Sequence, residues 1–314
     1  MRLDLRGAMK ETPSLGRIDI DFFHCFSYRF NRGFLVLRRI DWETTASVLE
    51  KIIEYEAVHA IYDLEDLRGR IEPEDRQCFG FFHPATPDEL LIFVEVALCK
   101  GIPASAQEIL ARDRKILSES EADTAVFYSI SSCQQGLGGI SSGNSLIKQV
   151  VERLSRDLPH LKTYVTLSPI PGFHAWLEKQ VSTDQGSRIS EILRAMEAVE
   201  SNENEDLLRP MSDSLRYLAA RYLVEEKRAN GLPFDPVARF HLGNGALIHD
   251  ILDMADTSAN GMRQSCGVMA NYLYDPERLE ANCEAFFEKS RIARTNTIDR
   301  LLKAGLPERK TRKG

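Results

Sequence analysis

One stretch constrains the fold more than any other: "TAVFYSISSCQQGLGGISSGNSLIKQVVERLSRDLPHLKTYVTLSPIPGF", residues 124–173. It opens on a run rich in β-branched and aromatic residues, which is strand composition. A loop containing Gly136, Gly138, Gly139 and Gly143 follows. Leu146, Ile147, Val150, Val151 and Leu154 then recur at the spacing of one helix face. "KTYVTLS" returns to strand character. Strand, loop, helix and strand in this length predict a parallel pair with a right-handed crossover. A chain built around such a unit is α/β.

The flanks read in the same way. Residues up to about 31 suggest one or two short helices, and "GFLVLRRIDW" suggests a strand. Val48, Leu49, Ile52, Ile53 and Ala57 lie on one face of a helix that Thr44 or Thr45 would cap. "QCFGFFHP" and "ELLIFVEVAL" are strand candidates, with "TPD" as the turn between them. "IPASAQEILARD" is a short helix. Residues 187–230 read as helical and polar, with "SNENED" as a linker and a break near Pro210. "PVARFHLGNGALIHDILDMAD" and "CGVMANYLY" bring back strand character. Leu279, Cys283, Phe286 and Phe287 line one side of a final helix, and "ERKTRKG" is a basic tail.

Composition narrows the functional classes. The 314 residues carry a net charge of -7, which argues against a general nucleic-acid binder. No apolar run reaches a membrane span, and the first residues lack the apolar core of a secretory signal. No two of the six cysteines form a C-x-x-C pair, so neither a zinc ribbon nor a redox motif is expected. Dispersed cysteines in a chain this long imply a reducing compartment and buried thiols. The histidines are scattered, and no metal site is expected.

Two places carry chemistry. "GLGGISSGN" lies between a strand and a helix, where glycines allow close backbone approach and a helix start offers free N–H groups. Together they suit a pyrophosphate, although tight turns use the same residues. The pattern is neither a nucleoside-triphosphate P-loop nor a dinucleotide fingerprint. The second place is Ser168, at the end of a strand and followed by Pro169 and Pro171. The prolines restrict both Ser168 and Ile170 to extended geometry. The hydroxyl either is held for chemistry or caps "GFHAWLEK". His241, in a strand-like segment before "GNG", is one partner base for it, and His249 competes for that role. Asn244 offers a hydrogen-bond donor. There is no G-x-S-x-G elbow, and Pro169 supplies no N–H for an oxyanion hole, which disfavours a serine hydrolase.

"GISSGNSLIKQVVERL", "LSPIPGF", "ARFHLGNGA" and "MADTSANGMRQSCGVMANYLY" together resemble malonyl-CoA decarboxylase. So do "RGFLVLRRIDW", "FFHPATPDELLIFVEVAL" and "AVFYSISSCQQGL", and the resemblance runs from about Phe23 to Tyr274. It implies a GCN5-related acetyltransferase-like mixed sheet flanked by helices. It implies that Gly138, Gly139, Ile140, Ser141, Ser142, Gly143 and Asn144 grip the coenzyme A pyrophosphate. It implies a catalytic pair of Ser168 and His241, with Tyr274 associated and Asn244 supporting. Animal members carry a glutamate where this chain has Ser141. The expected organisation is a remnant of an N-terminal helical domain over residues 1–32, a catalytic domain over 33–300 and a tail over 301–314.

The implied reaction converts malonyl-CoA to acetyl-CoA and carbon dioxide in fatty acid metabolism, with no cofactor beyond the coenzyme A of the substrate. The implied setting is cytoplasmic, without nucleic acid or membrane, and the resemblance allows a homo-oligomer. The alternatives are an acyl-CoA-dependent N-acetyltransferase and a coenzyme A-binding partner protein with little turnover. Arg263 is the candidate for the malonyl carboxylate.

Overall fold

The computed structural model describes residues 2–30, 34–134, 136, 146–182, 186–202 and 207–307. They form two compact units, one of residues 1–101 with 115–162 and one of 102–114 with 163–314. The first unit holds β1 (Val36–Ile40), β2 (Arg76–His83), β3 (Thr86–Cys99) and β4 (Thr124–Ser132). Neighbours along this order pair antiparallel. β3 is buried on both faces from Phe93 to Leu98, Glu95 included. That explains its nearly continuous apolar run.

Helices Ala46–Tyr55 and Leu64–Ile71 cover one side. Val48, Leu49 and Ile52 of the first and Leu67 and Ile71 of the second join Ile40, Cys78, Phe82, Leu90 and Phe93 in one core. Burial of each such large side chain contributes roughly 1.5–3 kcal/mol. The Leu146–Asp157 helix buries the five apolar residues that its sequence spacing predicts. Ahead of these elements lie helices Arg2–Ala8 and Gly16–Arg29.

The second unit holds β5 (Thr163–Pro169), β6 (Leu247–Leu252) and β7 (Met269–Leu273). β7 lies between the other two and is antiparallel to both. Pro169 closes β5, where a missing N–H costs the ladder least. Around these strands run helices Phe173–Gln180, Gly186–Asn202, Ser212–Glu225, Pro236–Gly243, Ala259–Ser265, Leu279–Lys289 and Asn296–Ala304. A 3-10 turn at Arg209–Met211 precedes the Ser212–Glu225 helix, which is the break expected near Pro210. No helix among the described residues is long and apolar enough to cross a membrane. Among the described residues no disulfide joins any of the six cysteines; Cys78, Cys133 and Cys266 are buried, while Cys25 is exposed.

Several expectations need correction. His241 lies on a helix, Pro236–Gly243, and not on a strand. Asp235 caps that helix, its Oδ1 accepting from Ala238 N at 2.8 Å, and Pro236 occupies the first turn, where no N–H is needed. "TPD" belongs to β3, and the hairpin turns at Pro84–Ala85, with His83 opposite Thr86. Thr45 stands at the cap position of its helix but its side chain makes no cap bond, and Ala57 lies beyond the helix end. Phe287 is 53% exposed, whereas Phe286 is buried. The Asn296–Ala304 helix runs through position 301, where a tail was expected to begin.

Candidate active site

β5 and β7 position the reactive side chains through their register. Thr166 faces Tyr272 and Ser168 faces Ala270. Paired residues and residues two apart share a sheet face. Tyr274 continues the pattern beyond the strand, its N–H donating to Tyr164 O at 2.8 Å. Thr166, Ser168, Tyr272 and Tyr274 therefore line one face, and His241 comes to it from its helix.

The contacts form one chain of hydrogen bonds. Ser168 Oγ lies 2.9 Å from His241 Nε2 and donates to Thr166 Oγ1 at 2.9 Å. His241 Nδ1 lies 2.8 Å from Tyr274 Oη. The Tyr272 ring stacks on the imidazole, centroids 4.5 Å apart and planes at 24°. Tyr272 N also donates to Thr166 Oγ1, at 3.3 Å. All five residues are buried.

Burial sets the protonation states. It pushes His241 down to about 3, so the ring is neutral at neutral pH. It pushes the Tyr274 phenol well above its ordinary value. Hydroxyls occupy both ring nitrogens of His241. The third member of this constellation is thus a neutral phenol and not a carboxylate. A nucleophilic serine needs its histidine to accept a proton and hold it as imidazolium. Among the described residues, neither ring nitrogen meets a carboxylate that would stabilise that cation. The arrangement suits a relay in which every group stays neutral before and after.

The helix under His241 ends abruptly. Asn244 Nδ2 donates to Phe240 O at 2.7 Å, closing the last turn, and Asn244 Oδ1 is buried without a hydrogen-bond partner among the described residues. Gly245 follows at φ +85°, where a Cβ would stand 2.0 Å from Leu279 O. Only glycine fits there. Ser168 does not cap the next helix; Gly172 stands at that position.

His249 lies on β6, where its carbonyl accepts from Thr295 Oγ1 and its Nδ1 is buried without a hydrogen-bond partner among the described residues. Arg263 is exposed on the Ala259–Ser265 helix. Gly138, Gly139, Ile140, Ser141, Ser142, Gly143 and Asn144 lie outside the described residues. Just ahead of them, the Gly136 carbonyl accepts from Arg2 at 2.9 Å. Sequence reasoning passed over Thr166 and Tyr272. Each stands two residues before a residue that it did single out, and strand alternation places such pairs together.

Comparison with known proteins identifies the family of the chain. The family model described as the malonyl-CoA decarboxylase C-terminal domain matches residues 33–312. The mitochondrial malonyl-CoA decarboxylase of Anser anser anser is 38% identical, over 86% of this chain and 58% of its own length. That of Rattus norvegicus is 36% identical, over 86% of this chain and 59% of its own length. The chain thus spans less than two thirds of the length of these curated relatives. The crystal structure of malonyl-CoA decarboxylase from Rhodopseudomonas palustris is 48% identical with a TM-score of 0.87, covering 96% of this chain and 74% of that one. The Agrobacterium vitis enzyme gives 46% and 0.88 over the same shares. By sequence and by fold, this chain belongs to the malonyl-CoA decarboxylase family.

Proposed function

We propose that the chain converts malonyl-CoA to acetyl-CoA and carbon dioxide, with Ser168 and His241 as the reacting pair. The observation that supports it most is the hydroxyl–imidazole–hydroxyl chain, in which no carboxylate among the described residues meets the imidazole nitrogens. Breaking the bond between the malonyl carboxylate and the α-carbon leaves its electron pair on the thioester as an enolate. That carbon is basic enough to take a proton from a neutral donor. The Ser168 hydroxyl turns from Thr166 to the carbon and gives its proton. His241 Nε2 replaces it, Tyr274 reprotonates Nδ1, and solvent supplies the net proton.

Donors aimed at the thioester oxygen stabilise the enolate by about 2.7–4 kcal/mol each in comparable sites. Asn244 supports the site by closing the helix that carries His241. We assign the coenzyme A pyrophosphate to the backbone of residues 138–144, and no further cofactor enters. We read the role as one in fatty acid metabolism and its setting as cytoplasmic, as the sequence resemblance implies.

The test is incubation of the purified chain with malonyl-CoA and no acceptor. Acetyl-CoA and carbon dioxide should form in equal amounts; an acyltransferase would release neither. Ser168→Ala and His241→Ala should remain folded and lose roughly 10²–10⁴-fold in kcat. Near-normal turnover in both would refute the pair.

A further inference from the structure

We propose that Thr166 is a positioning residue that fixes the direction of the proton relay by choosing the tautomer of His241. This deepens the reading of Ser168 and His241 as the reacting pair and rests on it.

The argument is one of donors and acceptors. A neutral imidazole has one N–H and one bare nitrogen. Ser168 has one hydroxyl hydrogen, and it goes to Thr166 Oγ1. The short contact between Ser168 Oγ and His241 Nε2 therefore needs its hydrogen from the ring. That puts the proton on Nε2 and leaves Nδ1 bare, so the contact to Tyr274 Oη takes its hydrogen from the phenol. Every bond in the row then points the same way: Tyr274 to His241, His241 to Ser168, Ser168 to Thr166. The opposite tautomer would aim the ring hydrogen at Tyr274 and give the serine none to receive.

Thr166 is built to be an acceptor. It is fully buried. One lone pair of its Oγ1 takes the Tyr272 N–H, a backbone donor that cannot reverse. The second lone pair is left for Ser168. Burial keeps His241 neutral, which makes its tautomer a meaningful choice. The Tyr272 ring against the imidazole face holds the plane in which both ring nitrogens meet their partners. A Thr166→Val chain keeps the shape and β-branching but has no acceptor. Ser168 would then donate to Nε2, and the ring proton would move to Nδ1.

The experiment reads the imidazole nitrogen resonances of the resting chain, labelled with ¹⁵N-histidine and free of substrate. The His241 signals are those lost in His241→Gln. The wild type should show a protonated Nε2 and a bare Nδ1. Thr166→Val should show the reverse, and Thr166→Ser should match the wild type. Thr166→Ala, which also lacks the acceptor, serves if the valine chain does not fold. In turnover, Thr166→Val should lose at least about tenfold in kcat with little change in KM, and Thr166→Ser should recover it. The upper bound is the ~10⁴-fold cost of a wrong imidazole tautomer. A proton on Nδ1 in the wild type, an unmoved proton in Thr166→Val, or a serine variant that behaves like valine would each overturn the proposal. The resonances need no substrate. An inactive chain with the expected tautomer would therefore sink the decarboxylase reading and leave the assignment of Thr166 standing.

Discussion

Acid should destabilise this fold through His241 in a way that one substitution can isolate. Burial holds the imidazole at about 3 in the folded chain, against an ordinary value of 6.5. Below pH 6.5 the unfolded chain binds a proton that the folded chain refuses. Stability is therefore complete above 6.5, falls as pH drops below it, and levels off below about 3. Each pH unit within that window costs ~1.36 kcal/mol. At pH 4.5, two units down, the loss from this one group is about 2.7 kcal/mol.

Other groups act in the opposite direction. Burial raises Asp235 to about 6 and, together with Glu56, raises Glu95 to about 8. Both gain stability as pH falls, so the raw curve of the wild type mixes signs. Subtraction removes them. Urea unfolding of the wild type and of His241→Gln, from pH 7.5 to 4.5, gives two curves that share every group but one. His241→Gln starts lower because it loses the contacts to Ser168 and Tyr274. The gap should then narrow by about 2–3 kcal/mol on reaching pH 4.5. Parallel curves would mean that the imidazole is protonated as readily when folded as when unfolded. The neutral relay would then lose its basis.

Two more outcomes follow from burial and backbone geometry. Gly245→Ala combines a left-handed backbone with overlap against the Leu279 carbonyl, and should cost about 2–5 kcal/mol in thermal unfolding. Gly243→Ala meets the Phe287 ring at 3.3 Å, which is exposed and can move, and the Phe286 ring at an ordinary contact distance of 3.7 Å, so its cost should stay within about 1 kcal/mol; equal costs would refute the distinction. Glu95→Gln should gain on the wild type as pH rises from 5 to 8, because folded Glu95 holds its proton to about 8 while the unfolded chain has already released it. A difference in unfolding free energy that stays flat across that range would contradict the buried, protonated carboxyl.

The strands and the Leu146–Asp157 helix are legible because their burial is periodic. Leu146, Ile147, Val150, Val151 and Leu154 read directly as one face, and all five are buried. The helix carrying His241 is harder to read, since eight residues give barely two turns and "VARFHL" has strand-like content. Its start signal was nevertheless present, as Asp235 followed by Pro236. Leu64–Ile71 is similarly polar and short, and Asp63 announces it with a cap bond to Asp66 N. At the site, Ser168 and His241 stand out by motif. Their hydrogen bond joins residues 73 apart in the chain, a proximity that no local pattern encodes. Thr166 and Tyr272 look like ordinary strand residues until the register of β5 and β7 places them opposite each other.

That register has an evolutionary consequence. Thr166 and Ser168 share a face only because one residue separates them, and Tyr272 and Tyr274 repeat the arrangement across the ladder. Losing or gaining a single residue between either pair would turn one hydroxyl to the far side of the sheet. Descendants of this chain can exchange side chains in these two strands, but they can change length between the paired hydroxyls only by even steps.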